Sequence, residues 1–246
     1  MARTIIFVTK IVISTLFLLM FSSCRYNINV GDEEEGSGNI VSETRNINES
    51  FSGVRVGQAI EVTIEQGNNV QVKLEADDNI LPLLTTSVEN GVLVISSNRN
   101  YSTSVNPRVT ITMPQIESLT ADSSASIRSE GKIVTDDLKI SAESSASITV
   151  NVEADQLTID CGSAAEVEVN GKSLEFEANA SSSGSINATD LMANNIKADV
   201  DSSGDIHVYP ILKLEANASS GGSIGYHKIP KTLSKSEDSG GSVSEE

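Results

Sequence analysis

The chain has no tryptophan, two histidines and two cysteines, and aromatic residues make up only 4% of it. Each shortage closes a route. A catalytic centre built on imidazole would have to use His207 or His227, the only general bases of that type available. A sugar-stacking platform would have to draw on Tyr26, Phe51, Tyr101, Phe176, Tyr209 and Tyr226, which are scattered along the chain. Cys24 and Cys161 are too few for a disulfide framework. There is no CxxC or HExxH motif, no phosphate-binding glycine loop and no glycine–aspartate nonapeptide of the calcium-binding β-roll kind. Basic residues are also scarce, 17 against 34 acidic, for a net charge of −17. Such a chain repels nucleic acid and anionic lipid surfaces.

No apolar run is long enough to span a bilayer, which takes roughly 20 residues. The longest near the start is Ile11 to Phe21, preceded by Arg3 and Lys10 and followed by Ser22, Ser23 and Cys24. A positive segment, a short apolar segment and small residues describe a secretory signal over residues 1–23. Small residues before a cysteine resemble the lipobox of bacterial lipoproteins, with Phe21 standing where that motif more often carries leucine. Cys24 is therefore the expected lipidation site, tethering a soluble body to the membrane. Loss of residues 1–23 removes two cations and no acid, taking the net charge from −17 to −19.

Residues 24–39 contain Asp32, Glu33, Glu34 and Glu35 among glycines and serines. With nothing apolar to bury, they read as an acidic tether. From Ile40 to Gln115 the pattern alternates with the two-residue period of strands: Val54, Val56; Ile60, Val62, Ile64; Val70, Val72, Leu74. Asn90-Gly91 marks a hairpin between Thr86–Val88 and Val92–Ile95. Pro82 falls in a loop or short helical turn, and Pro107 and Pro114 bracket a strand at Arg108–Met113.

The chain then repeats itself over about residues 117–226. With Ile127, Ile148, Val167, Ile186, Ile206 and Ile224 as anchors, the spacings are 21, 19, 19, 20 and 18. Four positions before each anchor stands Ser: Ser123, Ser144, Ser163, Ser182, Ser202, Ser220. Two before it stands only Ala or Gly, from Ala125 to Gly222. Six before it come Ala121, Ala142, Cys161, Ala180, Val200 and Ala218, and eight before it Leu119, Ile140, Ile159, Ala178, Ala198 and Ala216. The columns between are mostly polar.

Alternation inside a period near 20 means that inward residues stack on their equivalents one coil away. The expected fold is all-β, a parallel β-solenoid with a right-handed coil, and an N-terminal β-rich region continuous with it over residues 40–229. Each coil is too small to bury its apolar face alone, so neighbouring turns supply one another's core. The small residue before the anchor marks a tight corner, and the serine column suggests a hydrogen-bonded ladder down it. Cys161 lies in the small apolar column and reads as a core thiol. His207 falls in a column with Arg128, Thr149, Glu168, Asn187 and Gly225, a solvated face. Asp122, Glu143 and Asp201 share a column interrupted by Gly162, Ser181 and Ser219, too broken for a calcium ladder. Tyr226 to Ile229 are expected to cover the last turn, and residues 230–246 read as a disordered tail.

Phe51-Ser-Gly-Val-Arg-Val-Gly, Val62-Thr-Ile-Glu-Gln-Gly, Asp78-Asn-Ile-Leu, Asn90-Gly-Val-Leu-Val-Ile, Val109-Thr-Ile-Thr-Met-Pro and the Ser-Ser-Ala-Ser-Ile repeats together resemble the putative autotransporter adhesin head GIN domain family, common among Bacteroidetes lipoproteins. The resemblance runs from about Ile40 to Ile229. It implies a β-helical fold and an adhesin role, and transfers no site residue. The expected function is a non-enzymatic outer-membrane lipoprotein, on the surface or periplasmic face, presenting a rigid solenoid for binding. A polysaccharide-binding or polysaccharide-acting β-helix and a self-associating structural protein are the alternatives. No cofactor, metal or catalytic residue is expected. The partners are the membrane, through lipid on Cys24, and a glycan or protein ligand, but not nucleic acid.

Overall fold

The computed structural model describes residues 33–246, so the signal segment, Tyr26 and Cys24 lie outside it. The N-terminal region is built from β1 (Glu34–Glu35), β2 (Ile40–Arg45), β3 (Gly53–Val56), β4 (Glu61–Gln66), β5 (Gln71–Asp77), a 3-10 turn at Leu81–Leu83, β6 (Leu84–Glu89), β7 (Val92–Ser97), β8 (Tyr101–Ser102) and β9 (Arg108–Met113). The repeats follow as β10 (Ser118–Ala121), β11 (Ser126–Ala142), β12 (Ser147–Cys161), β13 (Glu166–Ala180), β14 (Ser185–Val200), β15 (Asp205–Ala218), β16 (Ser223–Tyr226), β17 (Thr232–Glu237) and β18 (Ser242–Glu245). From β10 onward every pairing is parallel. The result is a β-solenoid of about seven turns.

The register places the anchors on one another: Val62, Ile127, Ile148, Val167, Ile186, Ile206, Ile224 and Val243 are stacked rung upon rung. All are buried. A second stack runs Ile95, Val56, Ala121, Ala142, Cys161, Ala180, Val200, Ala218. Full burial of an aliphatic side chain contributes about 1.5–3 kcal/mol, and here each supplies half the surroundings of its neighbours above and below. Strand alternation thus becomes a continuous core of several stacked columns, as in β12, which buries Ile148, Val150, Val152, Leu157, Ile159 and Cys161.

Between the stacks the backbone turns through two residues of positive φ. They are Ser123 and Ser124 (φ 51 and 61), Ser144 and Ser145, Ser163 and Ala164, Ser182 and Ser183, Ser202 and Ser203, Ser220 and Gly221, and Ser239 and Gly240. Each turn is closed by a bond from the small residue to the carbonyl three before it, as in Ala125 N–H to Asp122 (3.0 Å) and Gly204 to Asp201 (2.8 Å). The small residue is required because its Cβ direction points at the preceding coil. A Cβ on Gly184 would lie 2.4 Å from the Cys161 carbonyl oxygen.

The expected serine ladder exists, but in the backbone. The amide of Ser124 donates to the carbonyl of Ser144 (3.0 Å), Ser145 to Ser163 (3.1 Å), Ala164 to Ser182 (3.1 Å) and Ser183 to Ser202 (3.2 Å). The side chains at these corners face solvent.

Two segments expected to lack structure are ordered. Residues 230–246 form β17 and β18, which pair in parallel with β15 and β16 and add another coil. Asp238-Ser239-Gly240-Gly241-Ser242-Val243 repeats the corner, with Val243 buried as its anchor. Low apolar content suggested disorder, but a solenoid rung needs only one or two inward side chains because the previous coil supplies the rest. The last of the six repeats is therefore covered by this rung, and of the segment Tyr226 to Ile229 expected to cover it Tyr226 is buried while Ile229 is 64% exposed.

The acidic tether, expected to run through residue 39, gives way to structure at Glu34. There β1 pairs with β8, and Asp77, Asp78 and Asn79 hold the following loop. Asp77 accepts from Gly38 N–H (2.7 Å) and Thr103 Oγ1 (2.5 Å); Asp78 accepts from Asn39 Nδ2 (2.9 Å) and Ser37 Oγ (2.5 Å). Polar hydrogen bonding, invisible to apolar periodicity, fixes this segment.

The Asn90-Gly91 hairpin joins β6 and β7 as expected, with φ of 52 and 78. Upstream of the repeats the same corner recurs at Gln58-Ala59, and the Ala59 amide donates to the Ser123 carbonyl (3.0 Å). In this first rung β4 pairs with β9, which separates it from β5.

Candidate functional site

A second bend crosses the middle of each long strand. Register carries Thr135 onto Ala154, Ser173, Ala193 and Pro210, and of this column Thr135, Ala154 and Ser173 line a shallow floor. Thr135 Oγ1 donates to the Asp137 carbonyl (3.2 Å) and Ser173 Oγ to the Glu175 carbonyl (2.6 Å), so hydroxyls hold the bend. On either side stand longer residues: Val134, Glu153, Lys172 and Met192, all exposed, along one rim, and exposed Asp136, Asp155 and Leu174 with half-buried Ile211 along the other. Val134, Leu174 and Met192 are 56%, 49% and 46% exposed.

Together these residues form an open trough of about 610 Å³ running across the turns. Five rungs at ~4.8 Å spacing make it about 19 Å long. At its N-terminal end the side-chain amide of Gln66 bonds both backbone groups of Val134 (2.8 and 2.9 Å). Variation in repeat length falls mainly in the segment leading into this bend, with register shifts between Arg128 and Lys132, Glu168 and Gly171, and Ala188 and Met192, and one at the bend itself between Ala193 and Asn195. The stacks on either side stay in register across these shifts.

The neighbouring polar face is occupied by its own side chains. Asn179 donates to Asp160 (2.9 Å), Asn217 to Asp199 (2.7 Å) and Asn195 to Glu175 (2.7 Å). Lys197 bridges Glu177 and Asp199 at 3.0 Å each, which raises its pKa through hydrogen bonds to both carboxylates, Glu177 first. An acidic groove of about 440 Å³ beside the corner contains Glu143, Asp201 and Asp238. These exposed pairs contribute little to stability individually. They do settle the face into alternating donors and acceptors.

Cys161 is a free thiol in the core, 3% exposed, and burial pushes its pKa up to about 11. That environment suits packing and not nucleophilic chemistry. Ser124, Ser145 and Ser183 sit at solvent-facing corners. Phe51, Phe176 and Tyr226 are buried, and Tyr101 donates its hydroxyl to the Gln58 carbonyl. Tyr209 lies under Lys228, whose Nζ is 5.5 Å from the ring centroid.

His207 departs from the expected solvated face. Its Nε2 is 2.7 Å from Asp205 Oδ2 and its Nδ1 is 2.8 Å from Glu246 Oε2, which also lies 3.3 Å from His227 Nε2. The sequence pattern hid this cluster because Glu246 belongs to the segment read as disordered.

Residues 50–230 match the family described as putative auto-transporter adhesin, head GIN domain. The chain belongs to that family. No curated protein matches it. Among solved structures, a putative adhesin from Bacteroides fragilis NCTC 9343 superposes with a TM-score of 0.79 at 20% identity, covering 86% of this chain and 99% of its own. A putative adhesin from Parabacteroides merdae ATCC 43184 gives 0.73 at 18% identity, over 88% and 100%. A putative lipid binding protein from Parabacteroides distasonis ATCC 8503 gives 0.69 at 23% identity, over 87% and 100%. At these identities the likeness establishes a shared fold. The GIN-domain family and its adhesin label match the expectation drawn from the motifs.

Proposed function

We propose that this GIN-domain protein is a non-enzymatic envelope lipoprotein, exported by residues 1–23 and anchored through Cys24, that uses its solenoid as an adhesin. The trough over the second bend is its contact surface. The observation that carries this reading is a floor of small residues between apolar and charged rims, on a scaffold whose other polar face is already self-paired. A straight slot about 19 Å long on rungs of ~4.8 Å suits an extended peptide or glycan strand better than a globular ligand. Adhesin-family membership supports binding over catalysis.

A second reading, an acyl chain lying in the slot, is favoured by the exposed Val134, Leu174 and Met192 and accords with the lipid-binding label of one similar structure.

Cells expressing the protein should lose adhesion to a panel of immobilised glycans and matrix proteins when Ser173→Arg and Met192→Glu block the slot. Protease added to intact cells should cleave the wild-type chain. Unchanged adhesion by the blocked variant removes the trough from the proposal, and full protection from protease removes surface display. Displacement of a fluorescent fatty acid by long-chain lipids, with no adhesion to the panel, would establish the second reading instead.

A further inference from the structure

The cluster at the C-terminal end of the solenoid gathers groups that stack alignment alone does not demand. His207 is one residue beyond the anchor Ile206 on β15, His227 follows β16, and Glu246 follows β18. They come from three successive rungs. Backbone bonds hold two of them in place: the His227 amide donates to the Val208 carbonyl (3.0 Å), and the Glu246 amide donates to the Tyr226 carbonyl (3.1 Å). The His207 and His227 ring centroids are 6.0 Å apart.

His207 meets a carboxylate oxygen at each ring nitrogen. Ionised carboxylates only accept hydrogen bonds, and a neutral imidazole has a single N–H to give. A neutral ring thus leaves one of its two nitrogens facing an oxygen with no proton between them, a gap that is closed by a second proton on the ring or by a cation. Asp205 indicates which nitrogen that is. Its Oδ2 lies against His207 Nε2, while its Oδ1 accepts from the Ser223 hydroxyl, so the carboxylate is oriented from behind to take the Nε2 proton. The Nδ1 lone pair is then directed at Glu246 Oε2. That oxygen is also within 3.3 Å of His227 Nε2.

A carboxylate behind a histidine, fixing its tautomer and turning its other nitrogen outward, is the usual outer-shell arrangement of a metal-ligating histidine. Space has been left for the third ligand as well. The column holding Arg128, Thr149, Glu168, Asn187 and His207 becomes Gly225 on the next rung, and a Cβ there would lie 2.6 Å from the Glu246 carboxylate.

We propose that His207 Nδ1, His227 Nε2 and Glu246 form a site for a divalent transition ion of the zinc class, with Asp205 as the positioning residue. The three ligand atoms lie within 4.8 Å of one another. A tetrahedral ion with bonds of ~2.0–2.1 Å separates its ligands by roughly 3.3 Å, so small ring rotations close the set. Two imidazoles and one carboxylate suit zinc, and calcium is disfavoured because it takes six to eight oxygens. All three groups are partly exposed, which leaves a fourth position to water. The ion ties the β18 rung to the two before it.

The test uses the untagged chain stripped with a chelator. Calorimetric titration with Zn²⁺ should show one equivalent bound, and Zn²⁺ should raise the melting temperature. His207→Gln, His227→Gln and Glu246→Gln should each abolish the shift, and Asp205→Asn should weaken binding roughly 10–100-fold without removing it. Circular dichroism of the metal-free variants should match wild type, since all four side chains are partly exposed.

The proposal is overturned if wild type binds Zn²⁺ no more tightly than the His207→Gln/His227→Gln double variant. It is equally overturned if imidazole NMR shows His207 doubly protonated between its two carboxylates at neutral pH and unresponsive to Zn²⁺.

Discussion

Serine is an unexpected choice where two consecutive residues adopt positive φ, a region costing an ordinary L-residue about 1–2 kcal/mol. Its short side chain limits the clash, and it faces solvent at the outside of the corner. The compensation is the interturn amide-to-carbonyl ladder, each bond worth about 0.5–1.5 kcal/mol net. Glycine at such a position should therefore be neutral or stabilising, and a β-branched residue costly. Ser144→Gly is expected to keep or raise stability and Ser144→Val to lower it by about 1–2 kcal/mol in urea unfolding. Equal midpoints for the two variants would mean that the corner does not require left-handed backbone. The serine column was legible in the sequence, but its role was not. Recurrence identifies a constrained position without saying whether hydroxyl or backbone is the constrained part.

At the scale of the rung, the inward small residue governs how closely coils approach. Gly184 stands against the Cys161 carbonyl, and even a methyl group must push that peptide aside. Gly184→Ala should cost about 1–3 kcal/mol by chemical denaturation, although alanine fills the equivalent site at Ala165. No loss would show that the corner breathes enough to admit it.

The stacked columns from Ile127 to Ile224 could be read directly, because period two and a near-constant spacing point to one geometry. The flanking rungs were harder. Gln58-Ala59-Ile60 replaces the Ser-x-Ala motif, and a longer connection separates Ile95 from Val109. In the tail only Leu233 and Val243 mark the inward columns, although Ile224 to Val243 repeats the period of 19. The trough was not foreseen either. Its floor is aligned by interstrand register, across repeats whose lengths differ mainly in the segment just before that bend.

For the molecule as a whole, the open ends matter most. A parallel coil offers unpaired backbone at each end, a template for another chain. Beyond β15 and β16 lie β17 and β18, where Lys235, Glu237 and Glu245 place charge on a thin, polar rung. Removal of residues 230–246 exposes the broader, more apolar β15 and β16 edge. The truncated chain should self-associate in sedimentation velocity as concentration rises, while the full chain stays monomeric. Association of the full chain to the same degree would favour the self-assembling structural role over adhesion.

Because the corner repeats with unchanged geometry while the segment leading into the second bend absorbs most differences in length, the coil count is separable from the fold. Excising one period joins an inward column to its equivalent and leaves every remaining stack in register. Duplicating one does the same in the other direction. The slot must shorten or lengthen with it, in whole steps of about 4.8 Å. Reach, and the number of ligand units that can be engaged at once, is thus a discrete variable that gain or loss of one repeat changes in a single event.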